Sequence, residues 1–304
     1  MTELQRIKNL SVPAGVIDCV LDTDAYNEID DQFAIALMLK SEKCNVKALY
    51  AAPFFNENST SPEDGMERSY VEIHRLLALM EKAEFGDLVY RGSRAYLTDE
   101  QTPVQSDAAR HLTQLAMDYT PDKPLYVVAI GAITNVASAI LMEPAIAERI
   151  VVVWLGGHDI SWPDTAEFNM MQDVAAARVV FGSGVPVVQL PCFGVVSAFY
   201  STKPELEYWL RGKNALCDYL CDHTIAAAES YAAGKVWSRV IWDVTAVAWL
   251  LNDGDRFMTS VLEPTPIPEY DHHYGFDPRR PFYRRVTYIH RDALMGYLFD
   301  ILAK

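Results

Sequence analysis

Apolar runs recur along the chain, and each is followed by a polar loop and then by apolar residues at helical spacing. Short, unbroken apolar runs are typical of strands that are buried on both faces of a parallel sheet. The predicted strands span 16–21, 46–51, 125–130, 150–154 and 185–190. Because strands and helices alternate, the pattern predicts βαβ units and a mainly parallel sheet.

Apolar residues spaced three and four apart predict the helices. They span 31–40, 65–81, 107–119, 134–142, 173–181, 215–231 and 242–251. Residues 263–281 are rich in proline, aromatic and charged residues, which indicates an irregular segment, either a lid over a site or a mobile surface loop. A strand over 282–290 and a helix over 292–302 follow. No linker rich in glycine or serine divides the chain, so we expect one α/β domain over 1–304, an open sheet flanked by helices.

The net charge narrows the range of partners. At -15, with an isoelectric point near 4.8, the chain opposes binding to phosphate backbones or anionic membranes. No apolar run reaches the roughly 18 residues that cross a bilayer, and the N-terminus lacks a signal-peptide pattern. The five cysteines are scattered and odd in number, which fits a reducing compartment. We therefore expect a cytoplasmic protein with neither nucleic acid nor membrane as a partner.

A cluster of acids follows the first predicted strand. The sequence VIDCVLDTDAYNEIDDQFAIA brings five carboxylates to the strand's carboxyl end and the next helix start: Asp22, Asp24, Glu28, Asp30 and Asp31. So many carboxylates need a cation or a polyhydroxy ligand to compensate them, and open α/β sheets bind ligands at this edge. The alternative is that Asp30 and Asp31 cap the helix, although capping needs only one acid.

Three later segments carry further candidate residues. The first, VVAIGAITNVA, is a strand end followed by a helix start near Thr134, which alone indicates an ordinary capped turn. In the second, VIWDVTAVAWLL, one acid, Asp243, begins an otherwise apolar helix, and it too can be a cap. The third, WLGGHDISWPDTAEFNMMQDVAAARVVF, contains Glu167 and Asn169, whose side chains suit vicinal hydroxyls, or else form a solvated loop before a helix capped at Gln172 or Asp173.

Taken in order, these segments resemble the inosine-uridine type nucleoside hydrolases, the calcium-dependent N-ribohydrolases. That family's first strand ends in Asp-x-Asp followed shortly by Asp-Asp, as in 22–24 and 30–31 here, with five residues between the pairs. Gly-Gly, Glu-Phe-Asn and Asp with Ala-Ala then recur in family order over 156–176. The resemblance implies a Rossmann-like fold. It also implies a Ca²⁺ ion held by Asp24, Asp31, Asp243 and the carbonyl of Ile130.

The same resemblance implies the roles of the remaining site residues. Asp24 would accept the proton of the attacking water, as general bases do in other glycoside cleavages. Asp30, Glu167 and Asn169 would orient the ribose. Asn56, in the loop after the second strand, would add a further contact, unless it only forms a turn.

Trp242 stands where many relatives have a histidine that protonates the departing base. In the purine-specific branch of the family a tryptophan stacks on the base at this place, so the resemblance implies a purine preference. The alternative is a tryptophan that packs in the core. Base departure then relies on stacking or on an acid not yet assigned, and His158, next to Gly156–Gly157, would lie at the mouth of the site.

We therefore expect an enzyme that hydrolyses the N-glycosidic bond of ribonucleosides, forms a homodimer or homotetramer and binds Ca²⁺. Two alternatives stay open. One is a non-catalytic protein that binds nucleosides or ribose and has lost leaving-group activation. The other is a hydrolase of a different N-riboside.

Overall fold

The structure is a computed structural model that describes residues 1–304. Its strands are β1 (Ile17–Thr23), β2 (Cys44–Ala51), β3 (Val89–Arg91), β4 (Leu125–Ala129), β5 (Ile150–Leu155), β6 (Val187–Leu190), β7 (Tyr200–Ser201), β8 (Arg239–Val240), β9 (Met258–Pro264), β10 (Ile267–Pro268), β11 (Tyr274–Gly275) and β12 (Phe282–Ile289). Eight of them form the central sheet in the order β3-β2-β1-β4-β5-β6-β12-β9. All of its pairs are parallel except β12 with β9, so the mainly parallel α/β sheet is confirmed.

Helices cover both faces of the sheet. They are α1 (Glu3–Asn9), α2 (Asp31–Lys40), α3 (Pro62–Leu79), α4 (Asp107–Ala116), α5 (Thr134–Met142), α6 (Phe168–Gln172), α7 (Val174–Gly182), α8 (Lys203–Trp209), α9 (Ala215–Ala232), α10 (Val244–Leu250) and α11 (Arg291–Leu302). None of these helices combines the length and the apolar character that crossing a bilayer requires.

Strands β4 and β5 are apolar without interruption because both of their faces are buried. Along β1, Cys19 and Leu21 belong to the apolar cluster on one face of the sheet, whereas Val20 belongs to the cluster on the other. Every residue of β4 and of β5 is buried. The alternation of side chains therefore does not separate polar from apolar positions, as in other doubly covered parallel sheets.

The strand order creates a crevice between β1 and β4. From β1 the chain proceeds outward through β2 and β3, then returns to β4 on the other side of β1 and proceeds through β5 and β6. The connections that leave β1 and β4 diverge in opposite directions, and ligands of open α/β sheets bind where this happens. Thr23, Ala129 and the residues that follow them lie at this point.

The segment 263–281 contains the small antiparallel hairpin of β10 and β11. The Tyr274 hydroxyl donates to the carbonyl of His158 at 3.2 Å, and the N–H of Thr165 donates to the carbonyl of His272 at 2.8 Å. The hairpin thus packs against the loop that follows β5.

The structure shifts several predicted boundaries. The first strand continues to Thr23, two residues beyond its predicted end. Helix α3 begins earlier than residue 65, because Pro62 occupies its first turn and the Ser61 hydroxyl accepts from the N–H of Asp64 at 3.1 Å. The helix predicted from residue 242 begins at Val244. Five strands and helices of three or more residues were missed: β3, β9, α1, α6 and α8.

Candidate active site

A cavity of about 220 Å³ opens at the carboxyl edge of the sheet, at the divergence of β1 and β4. Its wall comes from the loops that follow β1, β4, β5 and β6 and from the start of α10. Six of the lining side chains are carboxylates: Asp24, Glu28, Asp30, Asp31, Glu167 and Asp243. No lysine or arginine lines it. The structure therefore brings together acids that are more than 200 positions apart in the sequence.

Asp24 is the residue directly after β1, and its carboxylate is buried without a hydrogen-bond donor on either oxygen atom. Its position depends on Gly131, because a Cβ atom at Gly131 would lie 2.8 Å from the Asp24 Oδ1. A buried carboxylate without donors is unfavourable unless a cation or ligand compensates it.

Asp30, Asp31 and Asp243 place carboxylate oxygens within 4.8 Å of one another. Asp30 and Asp243 occupy the N-cap positions of α2 and α10, yet neither side chain makes a capping hydrogen bond. Asp30 instead accepts from the backbone N–H of Trp242 at 3.0 Å, and Asp31 accepts from the hydroxyl of Thr23. The capping alternative for these acids is therefore wrong: their carboxylates face the cavity rather than their own helices.

The electrostatics of this cluster are those of a negative site in which Arg239 offsets only part of the charge on Glu28 and Asp30. Burial, the main cause, raises the pKa of Asp30 to about 6 and that of Asp31 to about 7. Burial also raises the pKa of Asp24 and of Asp243 well above the usual range, and neighbouring carboxylates add to both shifts. A bound cation has the opposite effect, since nearby positive charge favours the ionised form.

The donor set fits a hard divalent cation. Such ions bind carboxylate and carbonyl oxygens, and Ca²⁺ takes six to eight of them. The two unpartnered oxygens of Asp24 are ligands of this type, as are the carboxylate oxygens of Asp31 and Asp243. The Ile130 residue also lines the cavity, and its carbonyl accepts one hydrogen bond, from the Asn169 amide at 3.1 Å. A carbonyl has two lone pairs, so one remains for an ion.

Glu167 and Asn169 also line the cavity. Glu167 is the N-cap of α6, and its carboxylate accepts from the backbone N–H groups of Gly157, Asn169 and Met170 at 2.8 to 3.0 Å. The amide nitrogen of Asn169 donates to the carbonyls of Ile130 and Leu155. Both amide hydrogens are thus used, so towards a sugar Asn169 presents only its carbonyl oxygen, an acceptor. An asparagine amide can both donate to and accept from a vicinal diol, but in this structure Asn169 can only accept.

Asp173, by contrast, is structural. Its carboxylate accepts from the N–H groups of Leu97 and Ala176 and from the Thr134 hydroxyl. It caps α7, as one interpretation of the sequence allowed. Thr134 does not cap α5 but donates to Asp173.

The structure puts Asn27, rather than Asn56, on the cavity wall. The Asn56 amide donates to the side-chain carbonyl of Asn27, and its own carbonyl oxygen accepts from the N–H of Asn58 at 2.8 Å. Asn56 is thus placed behind Asn27, which is the correction to the expected direct contact. Asn27 lies within the acidic loop itself, so its position there was the signal that could have identified it.

One end of the cavity is aromatic. His158, Phe193 and Trp242 line it, with ring centroids 4.9 Å apart for His158 and Phe193 and 5.6 Å for Phe193 and Trp242. Trp162 stacks on the outer side of Phe193 at 5.2 Å. Trp242 also packs against the core, as one of its two interpretations predicted, while its stacking on a base stays a prediction.

Sequence reasoning missed Cys192 and Phe193, which also line the cavity. They follow the carboxyl end of β6, so the rule that pointed to Asp24 would have pointed to them as well. Asp22, in turn, does not line the cavity. It is buried in β1 and accepts from the Asn135 amide at 2.7 Å.

Comparison with known proteins identifies related sequences and structures. The family model described as inosine-uridine preferring nucleoside hydrolase matches residues 19–275. The pyrimidine-specific ribonucleoside hydrolase RihB of Escherichia coli O1:K1 is 42% identical over 72 residues, which are 23% of this chain and 23% of that protein. The chain spans 30% or less of the length of the curated relatives that it matches.

Two solved structures share the fold. The plant nucleoside hydrolase PpNRh1 is 20% identical, with a TM-score of 0.75 over 94% of this chain and 99% of that one. The purine-preferring ribonucleoside hydrolase from Gardnerella vaginalis is 18% identical, with a TM-score of 0.75 over 94% and 98%. Because the family model covers more than half of the sequence, the chain belongs to the inosine-uridine preferring nucleoside hydrolase family.

Proposed function

We propose that this protein hydrolyses the N-glycosidic bond of ribonucleosides to the free base and ribose. The observation that carries the proposal is the buried carboxylate of Asp24, which has no donor on either oxygen and faces the cavity together with Asp30, Asp31 and Asp243. Membership of the nucleoside hydrolase family supports it.

The residues that would hold the metal are Asp24, Asp31, Asp243 and the carbonyl of Ile130, and we propose that the metal is Ca²⁺. When bound, the ion supplies positive charge that favours deprotonation of a water molecule and attracts sugar hydroxyl oxygens. Magnesium fits less well, because it demands regular octahedral geometry and retains several waters.

Asp24 has the free oxygen atoms that a general base needs, and it accepts the proton as the water attacks C1′. Asp30, with one oxygen on the Trp242 N–H, offers its other oxygen to a sugar hydroxyl. Glu167 and the side-chain carbonyl oxygen of Asn169 accept from further hydroxyls of the ribose. As the ribose acquires oxocarbenium character, this ring of negative charge stabilises it.

The charge of the cavity favours nucleosides over nucleotides. Six carboxylates line it, and Arg239 pairs with only one of them, Glu28, so the remaining negative charge would repel a substrate phosphate. At the other end, the aromatic residues offer a surface on which a base stacks, and Trp242 favours a purine. A relative that matches a quarter of the chain is pyrimidine-specific by name, so the preference has to be measured with both classes.

The direct test incubates the protein with Ca²⁺ and inosine, adenosine, uridine or inosine 5′-monophosphate, and measures released base and ribose. We expect release from the nucleosides, faster from the purines, and little from the monophosphate. Tight binding of a nucleoside without release would instead support the non-catalytic alternative. If base is released only from other N-ribosides in a broader panel, the result would support the alternative that the protein hydrolyses a different N-riboside.

We further propose a homodimer or homotetramer in the cytoplasm, as the family resemblance implies. Light scattering coupled to size-exclusion chromatography measures the assembly mass directly, and a monomer at micromolar concentration would contradict the proposal.

A further inference from the structure

The aromatic end of the cavity contains His158, a side chain with one ring nitrogen, Nε2, that makes no hydrogen bond within the protein. It has no role in the chemistry proposed so far. His158 is 5% exposed and lines the cavity next to Phe193. Its Nδ1 accepts a hydrogen bond from the backbone N–H of Phe193 at 3.2 Å. A ring nitrogen that accepts from an N–H carries no proton, so the single proton of the neutral ring is on Nε2.

The surroundings keep His158 in this orientation. Gly157, just before it, has a φ of +72°, and a Cβ atom there would lie 2.4 Å from the hydroxyl oxygen of Tyr274. That hydroxyl donates to the carbonyl of His158 at 3.2 Å. The ring packs on Phe193 at 4.9 Å and on Trp162 at 5.9 Å. Backbone and ring are thus both positioned, as a functional donor requires.

The charged groups near His158 agree with a neutral ring. Burial lowers the pKa of His158, and the opposing influence of Asp164 is smaller. At neutral pH the ring is therefore a donor at Nε2 and an acceptor at Nδ1. Of the two ring N–H groups on this wall, those of His158 and Trp242, the imidazole N–H is the stronger donor.

From this geometry we propose that His158 is the leaving-group residue of the site, and that its Nε2–H donates a hydrogen bond to a ring nitrogen or carbonyl oxygen of the departing base. The inference rests on the proposed nucleoside hydrolysis and assigns the function that Trp242 cannot supply.

The atoms and electrons of the hydrolysis step balance, and His158 keeps its proton. The C1′–N bond breaks and its electron pair goes to the base, while the water oxygen forms the new bond to C1′ and Asp24 takes the water's proton. The hydrogen bond from Nε2 stabilises the electron pair that develops on the base, and solvent then protonates the base. The proton on Asp24 returns to solvent, so the net reaction consumes one water.

The test compares two leaving groups in the full-length protein with Ca²⁺. Inosine has a leaving base that needs stabilisation, whereas the 4-nitrophenolate of 4-nitrophenyl β-ribofuranoside departs without it. The variant His158→Asn keeps an acceptor for the Phe193 N–H but has no donor at the Nε2 position. His158→Gln restores a donor there. His273→Asn makes the same chemical change at an exposed histidine away from the cavity and is the matched control.

We expect His158→Asn to lower kcat for inosine about a hundredfold, the low end for one positioned donor, and to change nitrophenyl riboside cleavage less than about threefold. His158→Gln should recover part of the inosine rate, and His273→Asn should change neither. Equal losses on both substrates, or no loss on inosine, would overturn the role of His158. The melting temperature of each variant identifies a loss that is due to misfolding.

Nitrogen-15 NMR of the histidine ring gives a readout that does not depend on activity. We expect an unprotonated Nδ1 and a protonated Nε2, and the opposite tautomer would overturn the inference. A wild-type protein that cleaves the nitrophenyl riboside but no nucleoside would remove the role of His158 and leave ribosyl hydrolysis standing. If it cleaves neither, the proposed function itself fails.

Discussion

Asp24 combines features that a surface carboxylate never has: it is buried, faces three other acids and receives no hydrogen bond. Gly131 leaves the space in which its carboxylate lies. Asp30 and Asp243 sit where helix caps are expected, but their side chains are directed elsewhere. At the scale of single residues, the site is held in an arrangement that favours binding a cation over local stability.

Replacing Asp24 by Asn should separate catalysis from stability. We expect Asp24→Asn to lower kcat at least about a thousandfold, because both the proton acceptor and a metal ligand are lost. In a chelator, the variant should melt about 2 to 6 °C above the wild type, since an uncompensated buried charge is removed. Calorimetry with and without Ca²⁺ measures this. Asp300→Asn, on the exposed face of α11, is the control.

A smaller change at Gly131 tests the position of Asp24. In Gly131→Ala the new methyl group would meet the Asp24 carboxylate at 2.8 Å and Ala52 at 3.3 Å. We expect kcat to fall about 10- to 100-fold through displacement of the carboxylate. Gly182→Ala adds a methyl group that meets nothing within 4 Å. Unchanged kinetics in both variants would contradict the assigned position of Asp24.

At the scale of elements, the same side chains that begin helices also form the cavity wall. Glu167 caps α6 with two backbone hydrogen bonds, accepts a third from the N–H of Gly157 and lines the cavity at the same time. Helix α10 begins at Val244, directly after Asp243, so a cavity-lining acid stands at the helix start. The sequence pattern predicts a helix that starts near Asp243 but none at 168–172. It gives the direction of neither acid, since a capping side chain and a cavity-lining side chain occupy the same position along the chain.

Glu167→Gln should therefore affect both stability and substrate binding. Its amide cannot accept on the nitrogen, so at least one of the three N–H bonds is lost, and we expect about 1 to 2 kcal/mol less stability in urea unfolding. KM for inosine should rise as well. Ser61→Ala removes the cap of α3, far from the cavity, and should lower stability while leaving KM unchanged. Equal KM values in both variants would argue against sugar contact by Glu167.

At the scale of the whole molecule, the reversal of strand order brings the carboxyl ends of β1 and β4 together, and α10 completes the site from a distant part of the chain. The resulting charge cluster links metal binding to global stability. Without a cation, the protein binds more protons when folded than when unfolded, since burial raises the pKa of Asp30 and Asp31.

The stability of the ion-free protein should depend on pH. These carboxyls have an unfolded pKa near 4 and folded values of about 6 and 7, so ion-free stability should decline as pH rises through this window. In a chelator the protein should melt lower at pH 8 than at pH 5. Added Ca²⁺ should reverse this, with a gain of about 2.7 kcal/mol at a hundred times its Kd.

The contribution of one carboxyl can be isolated by subtraction. The melting temperature of Asp31→Asn should vary less with pH and respond less to Ca²⁺ than that of the wild type, because one titrating ligand is gone. Carboxyls outside the cluster titrate equally in both proteins and cancel in the difference. Asp24 and Asp243 lose the part of their raised pKa that Asp31 causes, which reduces the pH dependence of the variant further. A wild type that gains no stability from Ca²⁺ at pH 8 would contradict the metal assignment.

Much of the fold could be predicted from the sequence because parallel strands buried on both faces are continuous apolar runs. This holds for β4 and β5, whose bounds lie within a residue of the prediction. The three-residue β3 and the edge strand β9 were missed, since a strand that short or that exposed carries little periodic signal.

By itself, the sequence determined the local elements and the presence of excess acids at a strand end, because propensity, periodicity and charge are properties of neighbouring residues. Only the tertiary structure decided which acids meet, that Asn27 stands in front of Asn56, and that Nδ1 of His158 accepts from the N–H of Phe193. Those outcomes depend on contacts between residues far apart in the chain, and side-chain direction is set by such contacts rather than by position alone.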